Sequence, residues 1–565
     1  MVKRLPKSLQ LPADDRRRIV AVAGGSEPAD LVLRGGMVVN VFTEQLQQAD
    51  IGIAAGRIAW VGSDPGGGAT LDEDVSDSYL VPGFIEPHAH LDLMYRPEQA
   101  LHWLARHGTT CVCGDPVFFM ANLDDESFLT LAQELASGPV HLVWKFRPWV
   151  DGLSALELER FSHERVVDLF RRLPGVVATG ELSCWPALVE GDDRIGWVIE
   201  TAVNEGLRVD GHAPGASRQR LGQLLAAGIT ACHEAIRGKE LITRISSGYW
   251  TEIRHSDLRP DGPELARALV DSGLPTDRVL LTTDGPEAES LAAGHLDRVI
   301  EIVVTAGVDP IPAIKMATLN VATYLGLDAH LGAIAPGRCA DILAVRTLDR
   351  PSPERTWIAG QSPPAEPSTI EWEHLTANPI RLAPLREDDL ASFSPGTPGI
   401  ALEGVVTRAV SNPGEPLPAD WVRAYLVNRG GQTITGAPLH GAGSIDGFAS
   451  SATGYGHVLV VGTDPGAMLD AYRRVAALGG GTVCAGGPEL PLPILGTMTD
   501  DSFAALLTAR SLLRRELGQR GFSVCSLDYF SLFLSLGVIP EIKLIDRGVL
   551  DVKRRRILVP ARSLR

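Results

Sequence analysis

Apolar and polar positions change rhythm several times along the chain, and each rhythm predicts a different kind of element. Residues 26–80 carry short alternating runs, DLVLRGGMVVNV and ADIGIAAGRIAWVG, interrupted by Gly pairs. Period-two alternation broken by glycine predicts small antiparallel strands joined by tight turns. The same texture returns in GAIAPGRCADILAVRTLD, so residues 26–80 and 332–365 are expected to form one small β-sandwich split by an insertion. Inside the insertion, 81–331, short apolar runs such as VHLVWKF, GVVATGEL, LRVDGHAPG, ITACHEAI and RVLLTTDGP alternate with amphipathic helical stretches. ERVVDLFRRL, RIGWVIETAVNEG, RQRLGQLLAAG and PELARALVDSG are among the latter. Repeated β-then-α over this length predicts a (β/α)8, TIM-like barrel. A doubly wound open sheet competes, but no GxGxxG opens a helix after the first strand. Residues 1–25 read as a polar, partly helical lead-in, and 366–420 as a Pro-rich connector with little regular structure. In 421–565 the αβ alternation resumes (HVLVVG, PGAMLDAYRRVAALGGG, TVCAGG) and predicts a C-terminal α/β domain. The fold class is therefore α/β: a metal-binding barrel inserted in a small β-sandwich, plus that third unit.

Composition narrows the partners. The 565 residues are 45% hydrophobic and 21% charged, which excludes a disordered chain. A net charge of −17 repels polyanions, so nucleic acid and anionic membrane are not expected as partners. Seven scattered cysteines are no disulfide framework and fit a reducing cytoplasm. The start, MVKRLPKSLQLPADDRRR, has no apolar core of a secretory signal, and no apolar run is long enough to cross a bilayer. The expectation is a cytoplasmic protein, a homodimer or higher homo-oligomer on base rates.

The chemistry concentrates in YLVPGFIEPHAHLD. Strand side chains repeat every second residue, so His88 and His90 point the same way, roughly 6–7 Å apart at Cβ, and can grip a first-row metal. HxH alone is a weak signal. Four further polar residues each close a predicted strand: Glu181 after GVVATG, His212 after LRVDG, His233 after GITAC and Asp284 after RVLLTT. Strand C-termini of a barrel converge on one face, so these six could ring one pocket and hold two divalent metals. Such a site makes hydroxide near neutral pH, because bound metal lowers the pKa of water from 15.7 to about 7–9. Asp284 is the natural proton acceptor, and the catalytic set is read as Asp284, His233 and Glu181. Glu234 is expected either to support the ligands from behind or to start a helix. Cys111 and Cys113 in TTCVCGD are expected to be buried core thiols.

VPGFIEPHAH, DGHAPG, the His233 strand and LTTDG resemble the metal-dependent amidohydrolase superfamily. GELSCWPAL, VDGHAPGASRQRLGQLLAAGITACHEAI, HVLVVGTDPGAMLDAYRRVAALGGG and VIPEIKLIDRGVLDV resemble its adenine deaminase branch, over about 25–350 and 425–552. The resemblance implies His88 and His90 on one metal with Asp284 nearby, Glu181 bridging, and His212 and His233 on the second. It implies manganese, iron or zinc, and hydrolysis of adenine to hypoxanthine and ammonia, a reaction of purine metabolism.

Several positions depart from that branch. Val117 and Phe118 stand where it carries a His-Glu pair, and KFRPWVDG replaces a small Ser/Cys/Pro loop. Gly285 replaces a repeated acid, and Thr453, Gly454, Tyr455 and Gly456 replace a segment rich in His and Asp. A site built to hydrogen-bond one substrate discriminates against molecules that cannot satisfy it. The changes therefore point to a small heterocyclic substrate larger or less polar than adenine, such as an N-substituted adenine. Ring-opening hydrolysis of a cyclic amide or imide is the alternative, and an inactive metal-binding relative is the non-enzymatic one. Trp185, Arg254, Arg147, Trp149 and Tyr455 are the candidate substrate contacts.

Overall fold

The computed structural model describes residues 5–148, 153–375, 380, 382–404, 406–524, 526–538 and 541–564, without the side chains of 156–158 and 528. After a helix, Ala13–Ala23, the chain forms strands β1 (Ala29–Asn40), β2 (Gln45–Ala54), β3 (Arg57–Gly62), β4 (Ala69–Asp74) and β5 (Tyr79–Pro82). Two later strands, β14 (Ile342–Val345) and β15 (Pro353–Trp357), join them in one sheet ordered β15-β14-β5-β1-β2-β3, with β4 also on β1. The alternation that predicted these strands buries Leu31, Leu33, Ile51, Ile53, Ile342 and Trp357 on one side.

Between the two parts run eight parallel strands. They are β6 (Phe84–Ala89), β7 (Thr109–Gly114), β8 (His141–Phe146), β9 (Val176–Thr179), β10 (Asp210–Gly211), β11 (Ala231–Cys232), β12 (Trp250–Arg254) and β13 (Val279–Thr282). They pair as β6-β7-β8-β9 and β10-β11-β12-β13. Parallel bridges Ala178–Arg208 and Leu182–Gly211 join the two sets. On the other side β13 reaches β6 through Thr282 Oγ1, which donates to the His88 carbonyl at 3.1 Å. Helices follow the strands, as in His163–Arg172, Asp193–Asn204, Arg218–Ala226 and Gly262–Ser272, and the result is the (β/α)8 barrel. Cys111 and Cys113 are fully buried in β7, as core thiols.

The C-terminal sheet contains Trp421–Val427, Thr433–His440, Val458–Gly462, Phe448–Ser450 and Gly481–Cys484 at its centre. Its edge corrects one expectation. Inside the segment read as an irregular connector, Gly399–Glu403 pairs antiparallel with Val406–Val410 and extends this sheet through Thr433–His440. Pro-rich flanks hid a short alternating run whose Ile400 is buried. This third unit covers the C-terminal mouth of the barrel. Met94 pairs with it by backbone bonds, its N–H to Thr497 O at 2.8 Å and its carbonyl from Thr499 N at 3.0 Å. Asn122 Nδ2 donates to Gly454 O at 2.8 Å. Among the described residues, no helix is long and apolar enough to cross a membrane.

Candidate metal centre

All six expected ligands meet at the C-terminal ends of β6, β9, β10, β11 and β13, with Glu181 at the centre. Its Oε2 lies 2.8 Å from His212 Nδ1, 2.9 Å from His233 Nε2 and 3.8 Å from His88 Nε2, and its Oε1 lies 3.9 Å from His90 Nε2. Asp284 Oδ1 faces the same group, 2.9 Å from His88 Nε2 and 3.7 Å from His90 Nε2. The rings of His88 and His233 stack at 4.7 Å, and those of His88 and His90 stand edge-on at 5.0 Å.

These donors fit divalent metal. Ligand atoms of His88, Glu181, His233 and Asp284 all lie within 4.8 Å of one another. His88 Nδ1 and Nε2, His90 Nδ1, His233 Nδ1 and Asp284 Oδ1 are buried without a hydrogen-bond partner, an arrangement normally costly unless another ligand satisfies it. The electrostatics agree. Burial by itself would raise the Glu181 carboxyl, yet the His212 and His233 imidazoles and Arg147 hold it well below the usual carboxylate range. Burial would lower His233, and Glu181 and Asp284 instead push it up to about 10. The pocket attracts positive charge, and imidazole N and carboxylate O together suit a divalent metal.

Several partners position this group. Asp284 adopts a left-handed backbone, φ 62°, which a residue other than glycine rarely holds. Glu86 braces it: the carboxylate accepts from Thr282 Oγ1 at 2.6 Å, Thr283 N at 3.1 Å, Thr283 Oγ1 at 2.9 Å and His88 N at 3.2 Å. Below the ligands a second charged layer fills the barrel, with Lys145 paired to Asp210 and 3.9 Å from Glu252, all fully buried.

The expected substrate contacts divide. Arg147, Arg254 and Tyr455 line the cavity in front of the ligands, whose volume is ≈ 420 Å³. Both arginines are engaged by acids: Arg147 Nη2 with Asp115 at 2.6 Å and Glu181 at 3.2 Å, Arg254 Nη1 with Glu234 and, at 2.9 Å, Asp284. Arg254 thus holds the Oδ2 side of Asp284. Trp185 does not line the cavity. It starts the short helix Trp185–Val189 and packs against the barrel core, because the turn after Glu181 carries the chain away from the mouth. Trp149 lies outside the described residues. Of the two roles expected for Glu234, its placement fits support of the ligands: it lies beyond the end of β11, and its Oε1 stands 3.7 Å from His212 and 3.6 Å from His233. Burial would raise its carboxyl, but His212, Arg254, His233 and Arg259 hold it at about 2.

Sequence reasoning missed the bracing Glu86, the Lys145–Asp210–Glu252 layer and the wall supplied by helix Leu527–Ser535. The first two were readable, since each stands two residues before a site residue on the same strand face, as Glu86 before His88, Asp210 before His212 and Glu252 before Arg254. The third was not, because nothing local ties residue 530 to residue 90.

Comparison with known proteins agrees with this architecture. The family model described as "Amidohydrolase family" matches residues 79–368, just over half of the chain, and "Adenine deaminase C-terminal domain" matches 404–556. Similar relatives include "Putative adenine deaminase YerA" of Bacillus subtilis, 29% identical over 97% of this chain and 98% of that one. A Bacillus cereus protein of the same description is 30% identical over 97% and 96%. An "Adenine deaminase" of Archaeoglobus fulgidus is 29% identical over 96% and 97%. The chain belongs to the amidohydrolase family, in its adenine deaminase branch.

Proposed function

We infer that this chain is a metal-dependent hydrolase that deaminates adenine or a related aminated heterocycle, releasing ammonia or amine. The observation that carries this reading is Glu181 set within 2.8–3.9 Å of four imidazoles, with Asp284 closing the group. His88 and His90 would hold one divalent ion and His212 and His233 a second, with Glu181 between them and Asp284 beside the first. Manganese, iron and zinc are the candidates. Bound there, such ions acidify water and polarise the carbon it attacks. Adenine itself is supported by the names of the relatives and by the C-terminal domain that this branch shares.

The residues divide the remaining work. Arg254 fixes Asp284 through Oδ2, which leaves Oδ1 turned toward His88 and the cavity to hold a proton taken from water and deliver it to the departing nitrogen. The C-terminal unit roofs the mouth and limits water there. Cyclic-amide hydrolysis finds no supporting observation in the pocket. Incubating the manganese-loaded protein with adenine tests the reading. Stoichiometric hypoxanthine and ammonia are expected, and no release from adenine or any other aminated heterocycle would overturn it.

A further inference from the structure

The cavity has two unlike halves. At the metal end it is lined by His90, Arg147, Glu181, His212, Arg254 and Asp284. The rest of its lining is mainly apolar and comes from both units, with Phe118 from the barrel and Tyr455, Leu532, Phe533 and Leu536 from the C-terminal unit; Ser183, Glu234, Arg259, Glu287 and Tyr529 are its polar members. The apolar wall begins directly beside a ligand: the Phe118 ring lies 6.2 Å from the His90 ring and 5.9 Å from the Tyr455 ring.

That wall is held in place. Phe118 N donates to Asp92 Oδ2 at 2.8 Å, and Gly454, at φ 73°, lies so close to the ring that a Cβ there would sit 2.4 Å from it. The helix Leu527–Ser535 is latched to the loop after β13. Tyr529 donates to the Gly285 carbonyl at 3.0 Å, and Ser526 bonds Glu287. Glu287 in turn pairs with Arg510 at 3.1 Å and Arg514 at 2.7 Å. The stacked pair Tyr529 and Phe533, 5.3 Å apart, is thereby anchored to the barrel side of the cavity.

Charge narrows the occupant further. Arg147 is paired with Asp115 and Glu181, Arg254 with Glu234 and Asp284, and Arg259 with Glu234 and Asp261. An anionic substituent would find each of these cations already matched. A bare purine with its reacting carbon at the metal end would leave the apolar half to water that has few polar partners there. A cavity of ≈ 420 Å³ instead lies in the range that encloses a drug-sized molecule.

Resting on the deaminase reading above, we propose that the preferred substrate is an aminated heterocycle bearing a neutral apolar substituent of aryl or branched-alkyl size, which lies against Leu532, Phe533 and Leu536. The reaction balances as simple hydrolysis. The water oxygen bonds to the ring carbon and the exocyclic C–N bond breaks. The nitrogen leaves with an added proton as ammonia, or as the amine when it carries the substituent, and the ring keeps the oxygen as a lactam.

The test compares kcat/KM of the metal-loaded full chain for adenine with that for 6-aminopurines carrying a benzyl group on the exocyclic nitrogen, on ring carbon 2 or on ring carbon 8. At least one benzyl compound is expected to exceed adenine by about tenfold or more, since burying several CH groups supplies that factor. Turnover of adenine with every benzyl compound slower overturns this proposal and leaves the deaminase reading standing. No turnover of any member overturns both. Leu536→Trp, which fills the apolar half, should lower the benzyl-to-adenine ratio of kcat/KM at least tenfold, and an unchanged ratio in a folded variant contradicts the assignment of that wall.

Discussion

Asp284, the proposed proton acceptor, sits in strained backbone. Its φ of 62° is tolerated because Glu86 gathers the two preceding threonines and Arg254 fixes one carboxylate oxygen. Asp284→Asn keeps the shape and removes the proton acceptor. It should lower kcat on the order of 10²–10⁴-fold, read by ammonia release, with little change in melting temperature. A second residue bears on stability alone. Lys543 is wholly buried in Ile542–Ile545, its amine has no hydrogen-bond partner, and burial pulls its pKa from 10.5 down to about 7. Between those two values the unfolded chain holds the proton and the folded chain does not, so this group makes stability rise with pH across that window. Below about pH 7 the folded chain carries the buried charge and the penalty is complete. Lys543→Met should therefore melt higher than the parent at pH 6, by about 1 °C for each kcal/mol relieved in a chain of this size, and the margin should shrink toward pH 10. A margin constant with pH would show that Lys543 is not the source.

At the scale of the element, the barrel strands explain why so much of the site was legible. Ligands ending GVVATGE, LRVDGH, GITACH and RVLLTTD could be placed on one mouth from sequence alone, because strand period and barrel closure bring the strand C-termini to one face. Arg254 was found in the same way, at the end of β12. What escaped was contact made across elements. Trp185 stood near Glu181 in sequence and was expected in the pocket, yet a turn separates them. Residues 399–410 were taken for linker because proline dominated the composition around one short strand pair. Gly180 shows how tightly neighbouring strands constrain each other, since a Cβ there would lie 2.8 Å from both Arg147 Nε and Asp115 Oδ2. Gly180→Ala should displace the Arg147–Asp115 pair from behind Glu181, cost about 1–3 kcal/mol of stability, and reduce the metal retained after dialysis. Elemental analysis beside a thermal melt checks both effects.

Across the whole molecule, the active-site cavity belongs to two units and needs both in register. Glu287, itself buried, is the hub of their contact, holding Ser526, Arg510 and the half-exposed Arg514. Glu287→Ala removes the Ser526 bond and leaves the buried Arg510 to Glu289 alone, so it should loosen the latch. Hydrogen exchange across 526–536 is expected to quicken markedly while exchange in the sandwich strands of 29–62 stays at the parent rate. Uniformly faster exchange would mean that the contact supports global stability instead of the latch alone. The split sandwich, barrel and C-terminal unit were visible in sequence as changes of rhythm. Their docking was not, because it depends on pairings such as Met94 with Thr497 and Thr499, separated by some 400 residues.

Hydrolysis by this chain is expected to depend on divalent metal held around Glu181. Metal-stripped protein should be titrated with manganese while bound metal and ammonia release from adenine, or from the most active of the benzyl-substituted aminopurines, are followed together, beside Glu181→Gln. Turnover should rise with bound metal and saturate with it, and the Glu181→Gln protein should bind metal at least tenfold more weakly and stay inactive. Turnover in the metal-free protein, or undiminished metal binding and activity in Glu181→Gln, would contradict this dependence.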